Sequence, residues 1–465
     1  MGQALWTADE LAAATGGTLV AGKNWQVQGI CIDSRNANTD DLFVALEVER
    51  DGHDFVQSAL DAGAAASLVA NGNVPGAKLV VKNTQSALEQ VAIAARKRSN
   101  ASRIAVTGSV GKTSVKDALA IIFSQDGATH KSVKSYNNQW GVPLSLARMP
   151  VSSKYGVFEI GTSSPGEIAP LCGLVRPDIG IITRIAEAHL AGFGSVTEIA
   201  LEKASLLAGM GEGGTAILPA DDACFDLLQQ QAGYFSVQNI MTFGRADGCT
   251  VQILNWNTGL DGSDGLFLVN GKQLQIKAPV TGMHWAEILA ASMCAALAAE
   301  LAPDVIASAM QLIKPPSGRG GLVTLPLVNG SAVLMDDSYN ANPTSMTAAL
   351  DTLSRMPAKR KLAVLGQMLE LGAEERRLHA ELSWPIEQAK LAKVWCVGEL
   401  MRALHQKLPA QRQAAMSDDV DGLAADIYAE LQDGDVVLVK GSNGSGVHKI
   451  ATQLQQIAKA QKSGK

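Results

Sequence analysis

Residues 104–114 read Ile-Ala-Val-Thr-Gly-Ser-Val-Gly-Lys-Thr-Ser, a short β-branched run followed by a glycine turn and a lysine. This order predicts a strand, a phosphate-binding loop and the start of a helix. Gly108 and Gly111 allow a tight turn that points successive backbone N–H groups inward. Lys112 adds a positive charge, and Thr113 offers a hydroxyl to Mg²⁺. The stretch therefore predicts a phosphate site.

The flanks of this stretch both weaken and support that prediction. Val106 stands where the full motif has its first glycine, so an ordinary strand-to-helix turn is the alternative. An apolar strand precedes the loop, and residues 115–123 form an amphipathic run. A helix there would aim the positive end of its dipole at bound phosphates, which favours the phosphate site.

Composition limits the class of protein. The chain has 465 residues, a net charge of -6 and a pI near 5.7. The length predicts three domains, and the charge gives no sign of a nucleic-acid or anionic-membrane partner. Hydrophobic residues make up 47% of the chain and aromatic residues only 5%, which is typical of an α/β protein that packs small and branched side chains.

Cysteine spacing and hydropathy indicate a cytosolic protein. The six cysteines show no C-x-x-C spacing, so neither a zinc site nor a disulfide framework is predicted. The start of the chain lacks a basic segment followed by an apolar core. The longest apolar run, residues 288–299, is too short to cross a bilayer and is predicted as a buried helix. We therefore expect no membrane insertion.

The chain up to about Asn100 is predicted as a first α/β unit, followed by a polar, basic linker over residues 95–102. Two polar clusters in this unit follow predicted strands: Asp-Ser-Arg at 33–35 and Asp-Gly-His at 51–53. Ligands of α/β sheets bind at strand ends. Each cluster is predicted either as part of a binding site or as a solvated turn.

Two charged residues of the next unit lie in apolar surroundings. Glu159 ends the predicted strand 156–161, and a buried carboxylate needs a partner, either a metal or a salt bridge. Lys203 shares a predicted helix face with Ile199 and Leu207. It either snorkels to water or is held, or modified, at an active site.

The last third of the chain begins with a breaker segment. Residues 315–321 contain two prolines and three glycines, which predicts a hinge. Arg319 in this hinge is either solvated or reaches a phosphate across a domain cleft. Strands and helices alternate after residue 332, which predicts a parallel, doubly wound sheet.

The order of these features resembles the Mur ligases over essentially the whole chain. The motifs that carry the resemblance are the phosphate loop, Glu159, His189, Lys203, the Gly-Arg hinge, residues 337–343 (Asp-Ser-Tyr-Asn-Ala-Asn-Pro), residues 365–372 (Leu-Gly-Gln-Met-Leu-Glu-Leu-Gly) and residues 440–442 (Lys-Gly-Ser). The resemblance implies an α/β protein of three domains. They are an N-terminal UDP-sugar substrate domain (residues 1–98), a central ATP-binding domain with the phosphate loop and a parallel sheet (99–317), and a C-terminal Rossmann-like domain (318–465).

The resemblance also implies an activity. The branch of the family that the chain resembles most joins D-alanyl-D-alanine to UDP-N-acetylmuramoyl-tripeptide, through an acyl phosphate made with ATP, in cytoplasmic peptidoglycan precursor synthesis. We therefore expect an ATP-dependent, ADP-forming amide ligase with two Mg²⁺ ions and a carbamylated lysine at Lys203. The expected partners are these two substrates, and the expected state is a monomer.

The same matching implies roles for individual residues. The implied metal ligands are Thr113, Glu159, His189 and carbamylated Lys203. The implied ATP contacts are Thr107, Gly108, Ser109, Val110, Gly111, Lys112, Thr113, Ser114 and Asp337. The implied substrate contacts are Ser34, Arg35, His53, Asn340 and Asn342. The implied catalytic residues are Lys112, His189, Lys203 and Arg319.

The chain also departs from the family pattern, for example at Arg184, Glu287 and Gln367. Three alternatives therefore stay open. The protein could be a sister Mur ligase, a ligase like folylpolyglutamate synthase, or a non-catalytic nucleotide-binding sensor. A panel of substrates separates the ligases, and turnover separates all of them from a sensor.

Overall fold

A computed structural model describes residues 4–187 and 190–463 and confirms the predicted α/β class. The elements form three units along the chain, each built on a mainly parallel sheet. Short 3₁₀ segments connect several of the elements. No helix in the described ranges is long and apolar enough to cross a membrane.

The first unit has a five-stranded sheet in the order β2-β7-β6-β5-β4, in which only β2 runs antiparallel to its neighbour; β1 and β3 pair separately. Its strands are β1 (Trp6–Thr7), β2 (Thr18–Val20), β3 (Gln26–Val27), β4 (Gly29–Cys31), β5 (Asp41–Val44), β6 (Ala66–Val69) and β7 (Lys78–Val80). Its helices are α1 (Ala8–Thr15), α2 (Val56–Asp61) and α3 (Thr84–Arg98).

The predicted linker over residues 95–102 is wrong for most of its length. Residues 95–98 are the last turn of α3, and β8 of the next unit already begins at Ser102. The helix continues because Ala92 and Ala95 are buried on its apolar face. The basic residues of this last turn also stabilise the helix, because their positive charges lie at the negative end of its dipole. Only residues 99–101 connect the two units.

The middle unit carries a nine-stranded sheet in the order β16-β15-β14-β13-β12-β11-β8-β10-β9, parallel from β9 to β14 and antiparallel beyond. Its strands are β8 (Ser102–Thr107), β9 (Thr129–Lys131), β10 (Tyr155–Glu159), β11 (Ile179–Ile182), β12 (Thr215–Pro219), β13 (Asn239–Gly244), β14 (Val251–Gly259), β15 (Gly262–Val269) and β16 (Lys272–Ala278). Its helices are α4 (Lys112–Ser124), α5 (Gly141–Ala147), α6 (Ile168–Val175), α7 (Leu190–Phe193), α8 (Val196–Ala204), α9 (Phe225–Tyr234), α10 (His284–Ala298) and α11 (Pro303–Met310).

The third unit has a six-stranded sheet in the order β17-β18-β22-β19-β20-β21, parallel except for the β17–β18 pair. Its strands are β17 (Gly321–Pro326), β18 (Ser331–Asp337), β19 (Arg360–Gly366), β20 (Lys393–Val397), β21 (Gln413–Ser417) and β22 (Asp435–Lys440). Its helices are α12 (Pro343–Arg355), α13 (Glu375–Glu381), α14 (Ser383–Gln388), α15 (Arg402–His405), α16 (Leu423–Glu430) and α17 (Val447–Ser463).

The first and middle units share one hydrophobic core. Buried side chains of α1, α3 and β5 belong to the same cluster as those of α5, β10 and α6. Trp6 is buried at this junction, and its Nε1–H donates to the Ala147 carbonyl at 2.9 Å. The Arg98 guanidinium lies over the Trp6 ring, 3.3 Å from the centroid. The first unit is therefore anchored to the middle unit along an apolar face.

In the third unit, an ion pair between β19 and β22 gives a stability prediction. Arg360 donates to the buried carboxylate of Asp435 at 2.9 and 2.6 Å. We expect Arg360→Met to lower the free energy of unfolding by about 2–3 kcal/mol, because a buried charge loses its partner. Urea unfolding measures this loss. The control is Lys359→Met, because the pair of Lys359 with Asp433 is exposed, and it should cost less than about 1 kcal/mol. Equal losses in the two variants would contradict the prediction.

Candidate active site

The loop between β8 and α4 has the close-packed shape that the sequence predicts. Gly108 and Gly111 adopt φ angles of +146° and +89°, which favour glycine. A Cβ at Gly108 would lie 1.9 Å from the Thr183 hydroxyl oxygen. The loop can therefore pass against the end of β11 only without a side chain at this position.

One backbone contact and one side chain hold this loop. The Ser109 N–H donates to the Arg184 carbonyl at 2.7 Å, which ties the loop to the segment after β11. Lys112 is the first residue of α4, and its Nζ donates to the Gly108 carbonyl at 2.7 Å, so the side chain folds back over the loop. Burial lowers the pKa of Lys112, and the Glu159 carboxylate opposes this effect. An anionic ligand would supply negative charge beside the partly buried Lys112 ammonium and so stabilise its protonated form.

Glu159 lies at the end of β10 and is buried beside this loop. Its Oε2 accepts from the Thr113 hydroxyl at 2.9 Å, and its Oε1 accepts from the Asn137 amide at 2.9 Å. The Lys116 ammonium lies 3.7 Å from Oε2. The carboxylate and the Thr113 hydroxyl thus present neighbouring oxygen atoms next to the phosphate loop.

Lys203 lies on α8 with only 2% of its surface exposed, so it does not snorkel to water. Burial lowers its pKa well below the usual range, and the positive charge of Lys112 adds to the effect. The negative charge of Glu202 opposes this effect. The neighbouring Glu202 carboxylate accepts from the Gly166 and Ile168 N–H groups at 2.7 and 2.8 Å. The prediction for His189 lies outside the described residues.

Arg319 extends from the third unit to the phosphate loop. Its Nη2 is 3.4 Å from the Thr113 hydroxyl oxygen, and its guanidinium centre lies 4.4 Å from the Tyr339 ring centroid. The Tyr339 hydroxyl donates to Ser135 Oγ of the middle unit at 3.0 Å. The two residues therefore join the middle and third units at the predicted nucleotide site.

The polar residues after β18 are held in place by their own contacts. Lys440 donates to the Asp337 carboxylate at 2.7 Å and to the Asn340 carbonyl at 2.9 Å. Asn342 caps α12, and its Oδ1 accepts from the Ser345 N–H at 2.8 Å. Asp337 and Asn340 thus form one hydrogen-bonded group around the buried Lys440 ammonium.

These groups surround a cleft of about 690 Å³ between the middle and third units, a volume typical of nucleotide-sized ligands. The predicted residues that line it are Ser109, Val110, Gly111, Lys112, Thr113, Ser114, Glu159, Arg319, Asp337, Asn340 and Asn342. Thr107 is buried at the end of β8, and Lys203 does not line the cleft. Arg184 and Glu287 also line it and pair with each other at 3.2 Å.

The three predicted residues of the first unit do not line this cleft. Ser34 begins a 3₁₀ turn, and Arg35 pairs with Asp33 at 2.7 Å while its side chain is 87% exposed. His53 is engaged at both ring nitrogens. Its Nδ1 is 2.6 Å from the Asp51 carboxylate, and its Nε2 accepts from the Ala70 and Asn71 N–H groups. The His53 ring therefore organises two loops at one edge of the sheet.

Several residues that line or support the cleft received no role from the sequence. They are Lys116, Ser135, Asn137, His284, Tyr339 and Lys440. Lys116 follows Lys112 by four residues on a predicted helix, so the helical period places both on one face. Tyr339 and Lys440 belong to two of the motifs that carry the family resemblance, but the resemblance assigned neither of them a role. His284 gave no comparable signal; burial lowers its pKa, and its Nδ1 is buried without a partner in the part of the chain that the structure describes.

Comparison with known proteins supports the family resemblance. A family model for the Mur ligase middle domain matches residues 106–296, and one for the Mur ligase glutamate ligase domain matches residues 322–443. The UDP-N-acetylmuramoyl-tripeptide--D-alanyl-D-alanine ligase of Rickettsia prowazekii is 32% identical, over 97% of this chain and 100% of that protein.

Solved structures agree with this result. The MurF structure from Acinetobacter baumannii has a TM-score of 0.85 and 27% identity, over 97% of this chain and 99% of that chain. The Thermotoga maritima MurF ligase in complex with ADP has a TM-score of 0.78 and 25% identity, over 93% of this chain and 98% of that chain. The chain therefore belongs to the Mur ligase family, in the branch of the UDP-N-acetylmuramoyl-tripeptide--D-alanyl-D-alanine ligases.

Proposed function

We propose that this protein uses ATP to join D-alanyl-D-alanine to the terminal carboxylate of UDP-N-acetylmuramoyl-tripeptide. The observation that carries the proposal is the cleft in which the phosphate loop, Glu159 and Arg319 meet. Its groups are those that phosphoryl transfer requires, namely a backbone cradle, a lysine, a metal-binding carboxylate and an arginine from another unit. The relatives that match the full length of the chain have this activity in their names.

The proposed reaction has two chemical steps. A carboxylate oxygen of the tripeptide attacks the γ-phosphorus of ATP, the bond to ADP breaks, and an acyl phosphate forms. The amine of D-alanyl-D-alanine then attacks the carbonyl carbon and loses a proton, and phosphate leaves as the amide bond forms. Lys112 and Arg319 are placed to stabilise negative charge on the transferred group. Closure of the cleft around the substrates would exclude water and so protect the acyl phosphate from hydrolysis.

The oxygen donors beside the loop fit Mg²⁺. Thr113 and Glu159 supply a hydroxyl and a carboxylate, and Mg²⁺ in such sites takes few protein ligands and completes its shell with waters and phosphate oxygens. No cluster of three or more His, Cys, Asp or Glu side chains that could hold a metal occurs in the described ranges. When bound, Mg²⁺ supplies positive charge to the β- and γ-phosphates.

We propose a second Mg²⁺ near Lys203, with Lys203 as a carbamate and His189 as a further ligand. Burial and the nearby charge of Lys112 favour the neutral amine of Lys203, and a neutral amine is the form that adds to CO₂ with loss of one proton. The product is an anion, and an anion on this helix face would need a cation beside it. A second metal would supply that charge.

The other proposed roles follow the same scheme. Asp337 holds the ATP ribose, Asn340 and Asn342 contact the dipeptide, and Ser34, Arg35 and His53 place the UDP-sugar. The residues of the third unit lie at or after the carboxyl end of β18, and those of the first unit follow the carboxyl ends of β4 and β5. Ligands of α/β sheets bind at such strand ends. His53 contributes by holding the loops of the sugar site in place, because both of its ring nitrogens are already engaged by protein groups.

We also propose the domain limits 1–98, 99–317 and 318–465, a cytoplasmic location and a monomer. Helix α3 ends at Arg98, and residues 311–320 connect α11 to β17, which supports both limits. ATP and a UDP-linked substrate are cytoplasmic compounds.

A labelling experiment tests the activity. The protein is incubated with Mg²⁺, ATP, D-alanyl-D-alanine and UDP-muramoyl tripeptide, ending in either meso-diaminopimelate or lysine and carrying ¹⁸O in its terminal carboxylate. We expect ADP and phosphate only when both substrates are present, with one ¹⁸O atom in each phosphate released. Lys112→Ala serves as the inactive control.

The alternatives predict other results in the same assay. A sister ligase or a folylpolyglutamate-synthase-like ligase would accept a diamino acid or glutamate in place of the dipeptide. A nucleotide sensor would bind ATP without turnover. ATP hydrolysis that ignores the dipeptide, or phosphate without ¹⁸O, would reject the proposal.

A further inference from the structure

Lys116 is a buried cation directly beneath the proposed metal ligand. It lies on α4, four residues after Lys112, and only 1% of its side chain is exposed. Its ammonium donates to the Lys134 carbonyl at 2.5 Å and lies 3.7 Å from Glu159 Oε2. The aliphatic stem of a lysine this deep in the protein cannot bring its charge to water. A neighbouring group must therefore compensate the buried charge of Lys116.

The Glu159 carboxylate supplies that compensation. Thr113 and Asn137 donate hydrogen bonds to this carboxylate but carry no charge. Among the residues that the structure describes, Lys116 is the one that forms an ion pair with Glu159. The other carboxylate near Lys116 is Asp117 at 3.6 Å, which Lys131 already binds more closely at 2.6 Å. Lys116 is thus matched mainly to Glu159.

The same charges bear on an incoming metal ion. Three cations, Lys112, Lys116 and Arg319, lie around the single carboxylate of Glu159 and the hydroxyl of Thr113. A divalent cation that arrives alone meets net repulsion in this buried place. Nucleotide phosphates bring the negative charge that reverses the balance.

We propose that Lys116 is a positioning residue that acts as the resident counter-cation of Glu159. It keeps the carboxylate directed at Thr113 while the cleft is empty, and it makes divalent-cation binding depend on bound nucleotide. The inference rests on the proposed function, since it takes Glu159 as a metal ligand. It extends that function by assigning an order of binding, in which the divalent cation binds with the nucleotide or after it.

A double-mutant cycle tests the pairing by thermal unfolding of the full chain without nucleotide. Lys116→Met should lower the midpoint by on the order of 5–10 °C, because it leaves the Glu159 charge buried and unpaired. In a Glu159→Gln background the same substitution should cost less than half as much. Lys116→Arg keeps the charge and should recover most of the loss. Equal losses in the two backgrounds would mean that Lys116 only fills space, and would overturn the proposal.

Metal binding without nucleotide tests the second part of the proposal. Mn²⁺ is titrated into the protein and followed by electron paramagnetic resonance. We expect Lys116→Met to bind Mn²⁺ at least about tenfold more tightly than the unmodified protein, since one nearby positive charge is gone. Lys131→Met is the matched control, because Lys131 shares Asp117 but is exposed, and it should leave Mn²⁺ affinity unchanged.

The outcomes separate this inference from the proposed function. Mn²⁺ affinity that is the same in Lys116→Met and in the unmodified protein would overturn the inference, even in an active ligase. Lys116→Gln replaces Lys116→Met in both experiments if the latter does not fold. Neither readout depends on turnover, so a failed ligase assay would reject the activity and leave the charge pairing to be decided by these measurements.

Discussion

Lys203→Ala is expected to lower the rate of amide formation by on the order of 10²–10³-fold, the loss typical of one preorganised charged group at an active site. The unmodified side chain is a buried amine whose surroundings favour the neutral form, so we expect the amine itself to contribute little to the reaction. As a carbamate it would hold a metal next to the reacting carboxylate. The measurement is phosphate release with both substrates at saturation.

Chemical rescue makes the Lys203 prediction specific. Small carboxylic acids such as formate or acetate should restore part of the activity of Lys203→Ala, because they can occupy the place of the carbamate. ¹³C NMR of protein equilibrated with ¹³C-bicarbonate should show a carbamate signal that the variant lacks. Lys407→Ala, at an exposed position of the third unit, should keep full activity. An active Lys203→Ala protein would contradict the carbamate role.

Arg319→Ala is expected to lower kcat by on the order of 10³-fold while ADP affinity changes less than about threefold, as for arginines that enter a phosphoryl-transfer site from another domain. The guanidinium is 3.4 Å from the Thr113 hydroxyl and stacks on Tyr339, so it is already directed at the loop. Its charge is most useful when charge develops on the transferred phosphoryl group. Single-turnover kinetics and ADP binding by calorimetry separate the two effects.

The conservative variant sharpens the Arg319 prediction. Arg319→Lys should remain at least about tenfold impaired, because an ammonium lacks the planar donor fork and the stacking surface of a guanidinium. Arg376→Ala is the control, since that side chain is largely exposed. A variant at 319 that loses nucleotide affinity and keeps its kcat would assign Arg319 to ground-state binding instead.

Local signals in the sequence were sufficient for the phosphate loop and for most parallel strands. The loop combines glycines, a lysine and an apolar strand within a few residues, and the buried strands are short β-branched runs. The structure places the predicted strand that ends in Glu159 at β10, and α10 covers the predicted buried helix over residues 288–299 except for its last residue. The antiparallel edge strand β17 was missed, because Thr324 and Pro326 interrupt its apolar run and only Leu325 is buried.

The remaining site residues depend on contacts distant in sequence. Lys116 becomes notable only when β10 brings Glu159 within 3.7 Å of its ammonium. Tyr339 and Ser135 are about two hundred positions apart and meet across the two units. The predicted linker at 95–102 failed for a related reason, since its basic residues look like a solvated connector until the buried alanines beside them are known.

The common core beneath Trp6 has a mechanical consequence. The sheet that carries the proposed sugar site cannot swing independently of the ATP-binding sheet without exposing that core to water. Any opening that admits substrates must then be a movement of the C-terminal lobe, pivoting on the proline- and glycine-rich segment 315–320. The first and middle units would then act as one rigid body that carries two proposed ligand sites, and the third unit would move against it.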